Sequence, residues 1–199
     1  MTRRFVLATA NPDKAAEIRS VLSAVLPGLV LSPRPADVPE VAETGATLVE
    51  NARIKAMALV VATGEAAIAD DTGLEVDALG GAPGVRTARY AGEGASYDDN
   101  VTRLLEALSG TPVAERRARF VTVAIARFPD GSELLAEGAA RGRITLAARG
   151  RAGFGYDPVF EPDGGAGKTF AEMAPAGKDA ISHRGGAFRA LALQLRERG

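Results

Sequence analysis

Two adjacent carboxylates, Asp70 and Asp71, are the residues of this chain that most directly suggest chemistry. They follow a short apolar run, residues 66–69, and precede Thr72 and Gly73. A buried strand that ends in paired acids and turns at glycine presents those acids at the edge of a sheet, where loops form sites. Neighbouring carboxylates repel each other unless a cation or a shared proton compensates. The pattern therefore predicts a site for a hard metal ion rather than a turn with two solvated aspartates.

A second candidate lies near the start of the chain, where a predicted strand over residues 3–9 meets a helix. Asn11 followed by Pro12 is a helix-start signal, because asparagine caps a helix and proline fits its first position. Free amides and the positive end of the helix dipole form a natural phosphate seat, to which Lys14 adds a full charge. The turn predicted to receive phosphate comprises Thr9, Ala10, Asn11, Pro12, Asp13 and Lys14.

A third candidate is the segment 153–160, in which glycines flank an aromatic residue. Glycine permits unusual backbone angles and close approach of a flat ligand, so Phe154 is predicted to stack on a base. The competing interpretation is a core phenylalanine in a turn. Ser182 is predicted to cap the last helix, which puts His183 and Arg184 in its first turn, and no partner of this single histidine suggests zinc.

Apolar residues at helical and strand spacings predict the elements that position these candidates. Helical spacing appears in four segments: 18–25, 48–59, 101–108 and 188–195. Two long strands, 118–128 and 133–146, are joined by a hairpin turn and add antiparallel pairing. We therefore expect an α/β fold with a long, twisted, mixed β-sheet flanked by helices. The whole chain, residues 1–199, is expected to form one domain whose two lobes surround a central nucleotide-binding cleft.

The composition is that of an ordinary soluble globular protein, with 199 residues, 46% hydrophobic and 25% charged. The formal net charge of −1 provides no basic field for nucleic acid or for an anionic membrane, so neither is expected as a partner. The absence of cysteine excludes disulfides and thiolate chemistry. The apolar run after Arg3 and Arg4 is too short for a signal peptide, and no segment is long enough to span a membrane. We therefore expect a cytoplasmic protein.

Five separated motifs resemble the family of inosine/xanthosine triphosphate pyrophosphatases, which remove non-standard purine nucleotides. Four of these motifs are T-x-N-x-x-K beginning at Thr9, E-N-A-x-x-K ending at Lys55, the aromatic segment around Phe154, and K-x-x-x-S-H-R ending at Arg184. The fifth is the acid turn DDTG, which LGGAPG and ARYAG follow. The motifs occur in the order found in the family, and together they are far more specific than any one of them alone.

The resemblance implies a Mg²⁺ site formed by Glu43, Asp70 and Asp71. Asp70 and Asp71 are the predicted catalytic residues, and Asp71 is assigned the role of positioning or deprotonating the attacking water. The family often has a second acid directly before the glutamate, but this chain has Ala42 there, so the loop offers one carboxylate.

The resemblance also assigns the substrate contacts. Lys55 joins Lys14 on the phosphates, and Thr72 replaces a commoner serine while keeping the hydroxyl. The remaining substrate-binding residues are Phe154, Gly155, Tyr156, Asp157, Lys178, His183 and Arg184.

The implied activity is hydrolysis of inosine, deoxyinosine and xanthosine triphosphates to the nucleoside monophosphate and pyrophosphate, with Mg²⁺ as cofactor. The substrate is thus a small purine nucleotide, and the family resemblance implies a homodimer. Two alternatives stay open. A nucleotide-binding regulatory module without turnover would release no pyrophosphate at saturating Mg²⁺, and a pyrophosphatase of a modified pyrimidine nucleotide would be distinguished by a substrate panel.

Overall fold

The computed structural model describes residues 4–198. Within that range the α-helices are α1 (Pro12–Val25), α2 (Leu48–Thr63), α3 (Tyr97–Ala107), α4 (Pro175–Ile181) and α5 (His183–Glu197). The strands are β1 (Arg4–Leu7), β2 (Val30–Ser32), β3 (Ala67–Val76), β4 (Pro83–Gly84), β5 (Arg117–Arg127), β6 (Glu133–Ile144) and β7 (Phe160–Pro162). No helix of this described part has the length and hydropathy needed to cross a membrane.

The strands form a mixed sheet in the order β2-β1-β3-β5-β6-β7, with β4 paired to β3. Strand β1 runs parallel to both β2 and β3, whereas β3–β4 and β6–β7 are antiparallel pairs. The predicted α/β fold with a mixed sheet flanked by helices is therefore confirmed. The two lobes around a central cleft stay a prediction.

The contacts within the chain divide it into two compact units. The first unit comprises the chain as far as Asp71, the segment Thr122–Gly138 and the chain from His183 onward. The second comprises Thr72–Val121 and Ala139–Ser182. That the two units together make one domain stays a prediction.

In the first unit, alternate residues of the strands pack against different helices. Leu7 and Ile68 belong to a buried cluster with residues of α1 and α5. Val6, Ala67 and Ala69 belong to buried clusters with residues of α2. Because successive side chains of a strand point to opposite faces, α1 and α5 cover one face of this part of the sheet and α2 covers the other.

In the second unit, an aromatic cluster fixes the segment that follows β6. Phe160 packs with its ring centroid 4.8 Å from that of Phe120 and 5.1 Å from that of Phe170. All three rings belong to a buried cluster that also contains Leu104 of α3 and Ile144 of β6. This packing holds the end of the loop between β6 and β7 in the core.

Strand β3 runs through the acid pair instead of ending there. It continues to Val76, Gly73 does not take a positive φ, and the predicted turn at that glycine is therefore wrong. Leu74 and Val76 are fully buried, and the backbone N–H of Leu74 donates to Thr87 Oγ1 at 2.7 Å. Apolar burial beyond the acids thus extends the strand past the point where glycine suggested a turn.

The predicted start of α1 is confirmed. The Asn11 side chain accepts from the backbone N–H groups of Asp13 and Lys14, and Pro12 occupies the first position of α1. Thr47 and Glu50 form a capping box at the start of α2. The short helix α4, which shows no extended apolar periodicity, was not predicted from the sequence.

Candidate functional site

The alternation of side chains along β3 separates the two carboxylates of the acid pair. Asp70 is on the same face as Ile68, which is covered by α1 and α5, and Asp71 is on the same face as Ala69, which is covered by α2. Both residues are buried, at 4% and 5% exposure. Each carboxylate therefore has its own set of partners.

On the α2 face, Lys55 lies between two carboxylates. Its Nζ donates to Asp71 Oδ1 and to Glu43 Oε1, both at 2.9 Å. The lysine ammonium is thus the cation that compensates the repulsion between Glu43 and Asp71. The structure brings these three predicted site residues into one cluster.

Asn51, the asparagine of the E-N-A-x-x-K motif, completes this cluster, although it was not among the predicted site residues. It is fully buried, and its Nδ2 donates to Asp71 Oδ2 at 3.2 Å. Its Oδ1 accepts from the backbone N–H of Gly45 at 2.8 Å, two residues beyond Glu43. The available signals were its place in that motif and its position four residues before Lys55, on the same side of α2.

On the other face, Arg184 pairs with Asp70. Its Nη1 donates to Glu17 Oε2 at 2.6 Å and its Nε donates to Asp70 Oδ2 at 3.4 Å. The arginine is 2% exposed, so both pairs are shielded from water. Glu17 is a second residue that the sequence patterns missed; it lies one helical turn after Lys14, which was the signal that could have found it.

The charges on the Asp70 face favour an ionised carboxylate. Burial opposes ionisation, but the positive charges of Lys14, Arg184 and Lys55 together hold the pKa of Asp70 below its ordinary value. Burial lowers the pKa of Lys14, against the attraction of Asp70 and with the help of the positive charge of Arg184. Asp70 is therefore an anion surrounded by cations.

On the α2 face, the pKa of the Asp71 carboxylate is shifted upward, opposite to the shift of Asp70. Burial raises the pKa of Asp71, and the negative charge of Glu43 raises it further, while Lys55 opposes both. Although burial favours the neutral lysine, the charges of Asp71, Asp70 and Glu43 hold the pKa of Lys55 above its ordinary value. Asp71 is accordingly the more basic carboxylate of the acid pair.

The turn between β1 and α1 is folded around its own side chains. Thr9 Oγ1 accepts from the backbone N–H of Asn11 at 3.1 Å. Asn11 Oδ1 accepts from the N–H groups of Asp13 and Lys14 at 2.9 and 3.1 Å. Those two amides, which the sequence suggested were free for phosphate, are therefore occupied by the cap. The charge of Lys14 and the dipole of α1 are what this turn offers an anion.

In the second unit, an aromatic ring and a lysine form a separate cluster. Lys178 Nζ lies 5.0 Å from the centroid of the Phe154 ring and donates to Asp157 Oδ2. The same carboxylate oxygen accepts from the backbone N–H of Phe154 at 2.9 Å. The Tyr97 ring is 6.0 Å from Phe154. Phe154 is half-buried, so part of its surface can contact a ligand.

The other residues of this segment are held by the backbone and the core. Gly155 has φ +61°, a conformation that glycine adopts without a steric cost. Tyr156 is buried, and its hydroxyl donates to the carbonyl oxygen of Thr87 at 2.9 Å. Burial, with the nearby hydroxyl of Tyr90, raises the pKa of the Tyr156 phenol. Its side chain is thus part of the core.

The predicted site residues consequently fall into two groups. The predicted metal, phosphate and histidine–arginine residues of the first unit are Thr9, Ala10, Asn11, Pro12, Asp13, Lys14, Glu43, Lys55, Asp70, Asp71, His183 and Arg184. The predicted residues of the second unit are Thr72, Phe154, Gly155, Tyr156, Asp157 and Lys178. Thr72 follows Asp71 in β3 and is half-buried, and His183 is a buried first residue of α5.

The oxygen donors on the α2 face are of the kind that magnesium prefers, and the Lys55 ammonium lies between them. Across residues 4–198 there is no group of three or more acidic or histidine side chains arranged to hold a metal. Mg²⁺ is usually held by one or two carboxylates together with substrate phosphates, and Glu43 and Asp71 provide such a pair of hard oxygen ligands. A closed zinc site would need nitrogen or sulfur ligands, and the sequence contains no cysteine and one histidine.

The chain is similar to known proteins over nearly its whole length. The profile of the Ham1 family matches residues 5–194. A Methylococcus capsulatus protein named dITP/XTP pyrophosphatase is 49% identical over 98% of each chain, and a Streptomyces avermitilis protein of the same name is 45% identical over 98% of each. The structure of a HAM1 protein from Coxiella burnetii matches with a TM-score of 0.87 and 39% identity, covering 98% of this chain and 99% of that one.

Proposed function

This chain belongs to the Ham1 family, and we propose that it hydrolyses non-standard purine nucleoside triphosphates. The substrates are inosine, deoxyinosine and xanthosine triphosphates, and the products are the nucleoside monophosphate and pyrophosphate. Full-length relatives named dITP/XTP pyrophosphatase support this reaction. The single observation that carries it is the convergence of Glu43 and Asp71 on Lys55 Nζ, because hydrolysis of a triphosphate needs both anionic ligands and a cation at one place.

Lys14 and Lys55 bind the phosphates in this proposal. Lys14 contributes a positive charge at the start of α1, where the helix dipole also favours an anion. Lys55 is held by two carboxylates, so its ammonium is fixed in position before the substrate arrives. Fixed positive charges of this kind stabilise the negative charge that develops during phosphoryl transfer.

Asp71 orients the attacking water and accepts its proton. A general base works best when its pKa lies near the working pH, and burial raises the pKa of Asp71 in that direction. The water attacks the α-phosphorus, its oxygen remains in the monophosphate, and the bond from that phosphorus to the bridging oxygen breaks to release pyrophosphate. Glu43 and Asp71 would hold Mg²⁺, which when bound supplies positive charge to the phosphate oxygens.

Asp70 has a different role in this proposal from the metal ligation that its place in the acid pair suggested. Its partners are Arg184 at 3.4 Å and the positive charge of Lys14. It therefore holds Arg184 in position and its charge attracts Lys14, while Glu43 and Asp71 bind the metal.

The purine base is bound by the residues of the histidine–arginine and aromatic motifs. Phe154 stacks on the base and contributes affinity for any nucleotide. Arg184 carries donors only and His183 can donate, so both favour the carbonyl at the six position of a deaminated purine. Adenine presents an amino donor there and leaves one of these groups unpaired. Asp157 and Lys178 hold each other beside Phe154, and the family resemblance implies that they also contact the substrate.

A homodimer and a cytoplasmic location belong to the same proposal. The homodimer rests on the family resemblance, and the absence of cysteine is compatible with a reducing compartment. Light scattering of the purified chain tests the first, since a mass of one chain would contradict it. Fractionation of the source cells tests the second, since recovery with the membrane fraction would contradict it.

The reaction is tested by measuring pyrophosphate release from a panel of nucleotides. We expect release from inosine, deoxyinosine and xanthosine triphosphates in Mg²⁺, slow release from ATP and GTP, and none in chelator. Equal rates for ATP and inosine triphosphate, or a modified pyrimidine nucleotide as the fastest substrate, would contradict the proposed substrate class. Nucleotide binding without any release would indicate the regulatory module.

A further inference from the structure

We propose that Asn51 is a positioning residue that holds the two metal-binding carboxylates, Glu43 and Asp71, in one arrangement. The inference rests on the proposed function, because it concerns how that site binds Mg²⁺. Asn51 is fully buried at 0% exposure, on the side of α2 that faces the sheet. A buried amide without partners is costly, and this amide uses both of its ends within the site.

One end of the amide fixes the orientation of the Asp71 carboxylate. Asn51 Nδ2 donates to Asp71 Oδ2 at 3.2 Å, while Lys55 Nζ donates to Asp71 Oδ1 at 2.9 Å. Each carboxylate oxygen thus has its own donor, and rotation of the carboxylate would break both hydrogen bonds. A carboxylate held by an outer partner in this way presents a fixed oxygen to a metal ion.

The other end fixes the loop that carries Glu43. Asn51 Oδ1 accepts from the N–H of Gly45 at 2.8 Å. The next two N–H groups of the loop, those of Ala46 and Thr47, donate to Glu50 Oε2 at 2.6 and 3.2 Å. Three successive backbone N–H groups of the loop are therefore hydrogen-bonded to side chains in the first turns of α2. These hydrogen bonds restrict the loop and hence the position of the Glu43 carboxylate.

Asparagine is the residue type that this position requires. One group must donate to a carboxylate while a second group accepts from a backbone amide, and a short side chain with both groups is an amide. Leucine has nearly the same shape and neither hydrogen-bonding group. Asn51→Leu therefore removes both hydrogen bonds without leaving a cavity.

Gly45→Ala is a second variant, which disturbs the hydrogen bond between Gly45 and Asn51 by a change in the loop. A Cβ at Gly45 would lie 2.7 Å from Asn51 Oδ1 and 2.6 Å from Glu50 Cβ, so the loop must move away from α2. Gly45 is only half-buried, so the fold is expected to survive this change.

A matched control is Asn100→Leu in the second unit. Asn100 is 2% exposed, its Oδ1 accepts from the N–H of Ala91 at 2.8 Å, and its Nδ2 donates to the carbonyl of Ala88 at 3.1 Å. It is therefore a buried asparagine with the same kind of hydrogen bonds and no contact with the proposed metal ligands.

The test is the Mg²⁺ affinity, measured by calorimetry on protein saturated with an inosine triphosphate analogue that cannot be cleaved. We expect Asn51→Leu and Gly45→Ala to weaken Mg²⁺ binding by roughly 10- to 100-fold. The affinity for the same analogue in chelator should not change, and Asn100→Leu should change neither quantity. A general loss of stability would lower the Mg²⁺ affinity and the nucleotide affinity together. A loss of Mg²⁺ affinity alone therefore indicates that the residue positions the metal ligands.

Unchanged Mg²⁺ affinity in either Asn51→Leu or Gly45→Ala would overturn the inference, and Gly45→Ala decides alone if Asn51→Leu does not fold. These results leave the proposed function intact when the wild-type chain releases pyrophosphate from inosine triphosphate. A wild-type chain that releases none would overturn the proposed function, and this inference with it.

Discussion

Asp70 and Asp71 are consecutive residues of one strand, yet their carboxylates lie on opposite faces of the sheet. Asp70 pairs with Arg184 next to α1 and α5, and Asp71 pairs with Lys55 next to α2. The acid pair therefore does not present both carboxylates to one face of the sheet. The two acids are hydrogen-bonded to different cations, although the charge of Lys55 acts on both, and the variants below should have different effects for that reason.

Asp71→Asn should abolish turnover while changing substrate affinity much less. The substitution keeps the shape and removes the charge that would accept a proton in the transition state. If Asp71 is the base, the turnover number should fall by a factor of about 100 or more. Steady-state kinetics at saturating Mg²⁺ measures this fall. Asp130→Asn, at an exposed position, is the matched control. Full activity of Asp71→Asn, or wild-type activity that persists in chelator, would contradict the assignment.

Lys14→Met and Lys55→Met should each weaken triphosphate binding for every base alike. Methionine keeps the length of the side chain and removes the charge. A hydrogen bond to a charged group contributes about 1.5–3 kcal/mol, so the affinity should fall by roughly 10- to 100-fold. Calorimetry with inosine triphosphate and ATP measures the effect, and Lys168→Met, at an exposed position, is the control. A changed preference between the two bases with unchanged affinity would show that the lysine contacts another part of the substrate.

Arg184→Ala should reduce hydrolysis of inosine triphosphate far more than hydrolysis of ATP. Leaving one donor of the pocket unpaired costs about 1–3 kcal/mol, which corresponds to roughly tenfold to hundredfold discrimination. The measurement is the ratio of kcat/KM for the two nucleotides. Phe154→Ala is the comparison, because loss of stacking should weaken both substrates equally. A ratio that stays the same in Arg184→Ala would remove this arginine from base recognition.

Tyr156→Phe should lower stability near neutral pH and reduce the loss of stability at alkaline pH. At neutral pH the variant leaves the carbonyl of Thr87 without its buried donor, which costs about 1–3 kcal/mol. Burial raises the pKa of the folded-state phenol above its unfolded value of about 10. The phenol's contribution is therefore fully present below about pH 10 and is lost as the pH rises from there towards the folded-state pKa.

Urea unfolding of wild type and Tyr156→Phe at about pH 8 and about pH 11 measures this dependence. The stability difference between the two proteins should be smaller at the higher pH. Equal stability of both proteins at the lower pH would mean that the Tyr156 hydroxyl does not stabilise the fold.

The helices α1, α2, α3 and α5 and the long strands β5 and β6 could be predicted from the sequence, because each depends on local spacing. The candidate site residues came from the acid pair, the turn before α1 and the family resemblance, and their roles stay predictions. The cap at Asn11 and the capping box of Thr47 and Glu50 are examples in which side-chain chemistry alone fixes where a helix begins. The continuation of β3 through Gly73 could not be predicted in this way. Glycine is compatible with both a turn and a strand, and the burial of Leu74 and Val76 against residues distant in the sequence decided between them.

Asn51 and Glu17 were missed for a related reason. A polar residue on a helix is usually solvated, and its spacing alone does not indicate a buried partner. Asn51 is on the same side of α2 as Lys55, and Glu17 is one turn after Lys14, but their partners Asp71 and Arg184 are distant in the sequence. The tertiary fold had to bring these elements together before the polar residues had a visible function.

The most direct test of the proposed reaction is the fate of the oxygen from water. Inosine triphosphate is hydrolysed in water enriched in oxygen-18, and the products are analysed by mass spectrometry. Attack at the α-phosphorus predicts the label in inosine monophosphate and unlabelled pyrophosphate. Label in pyrophosphate, or labelled orthophosphate with inosine diphosphate as the other product, would contradict the reaction proposed for this site.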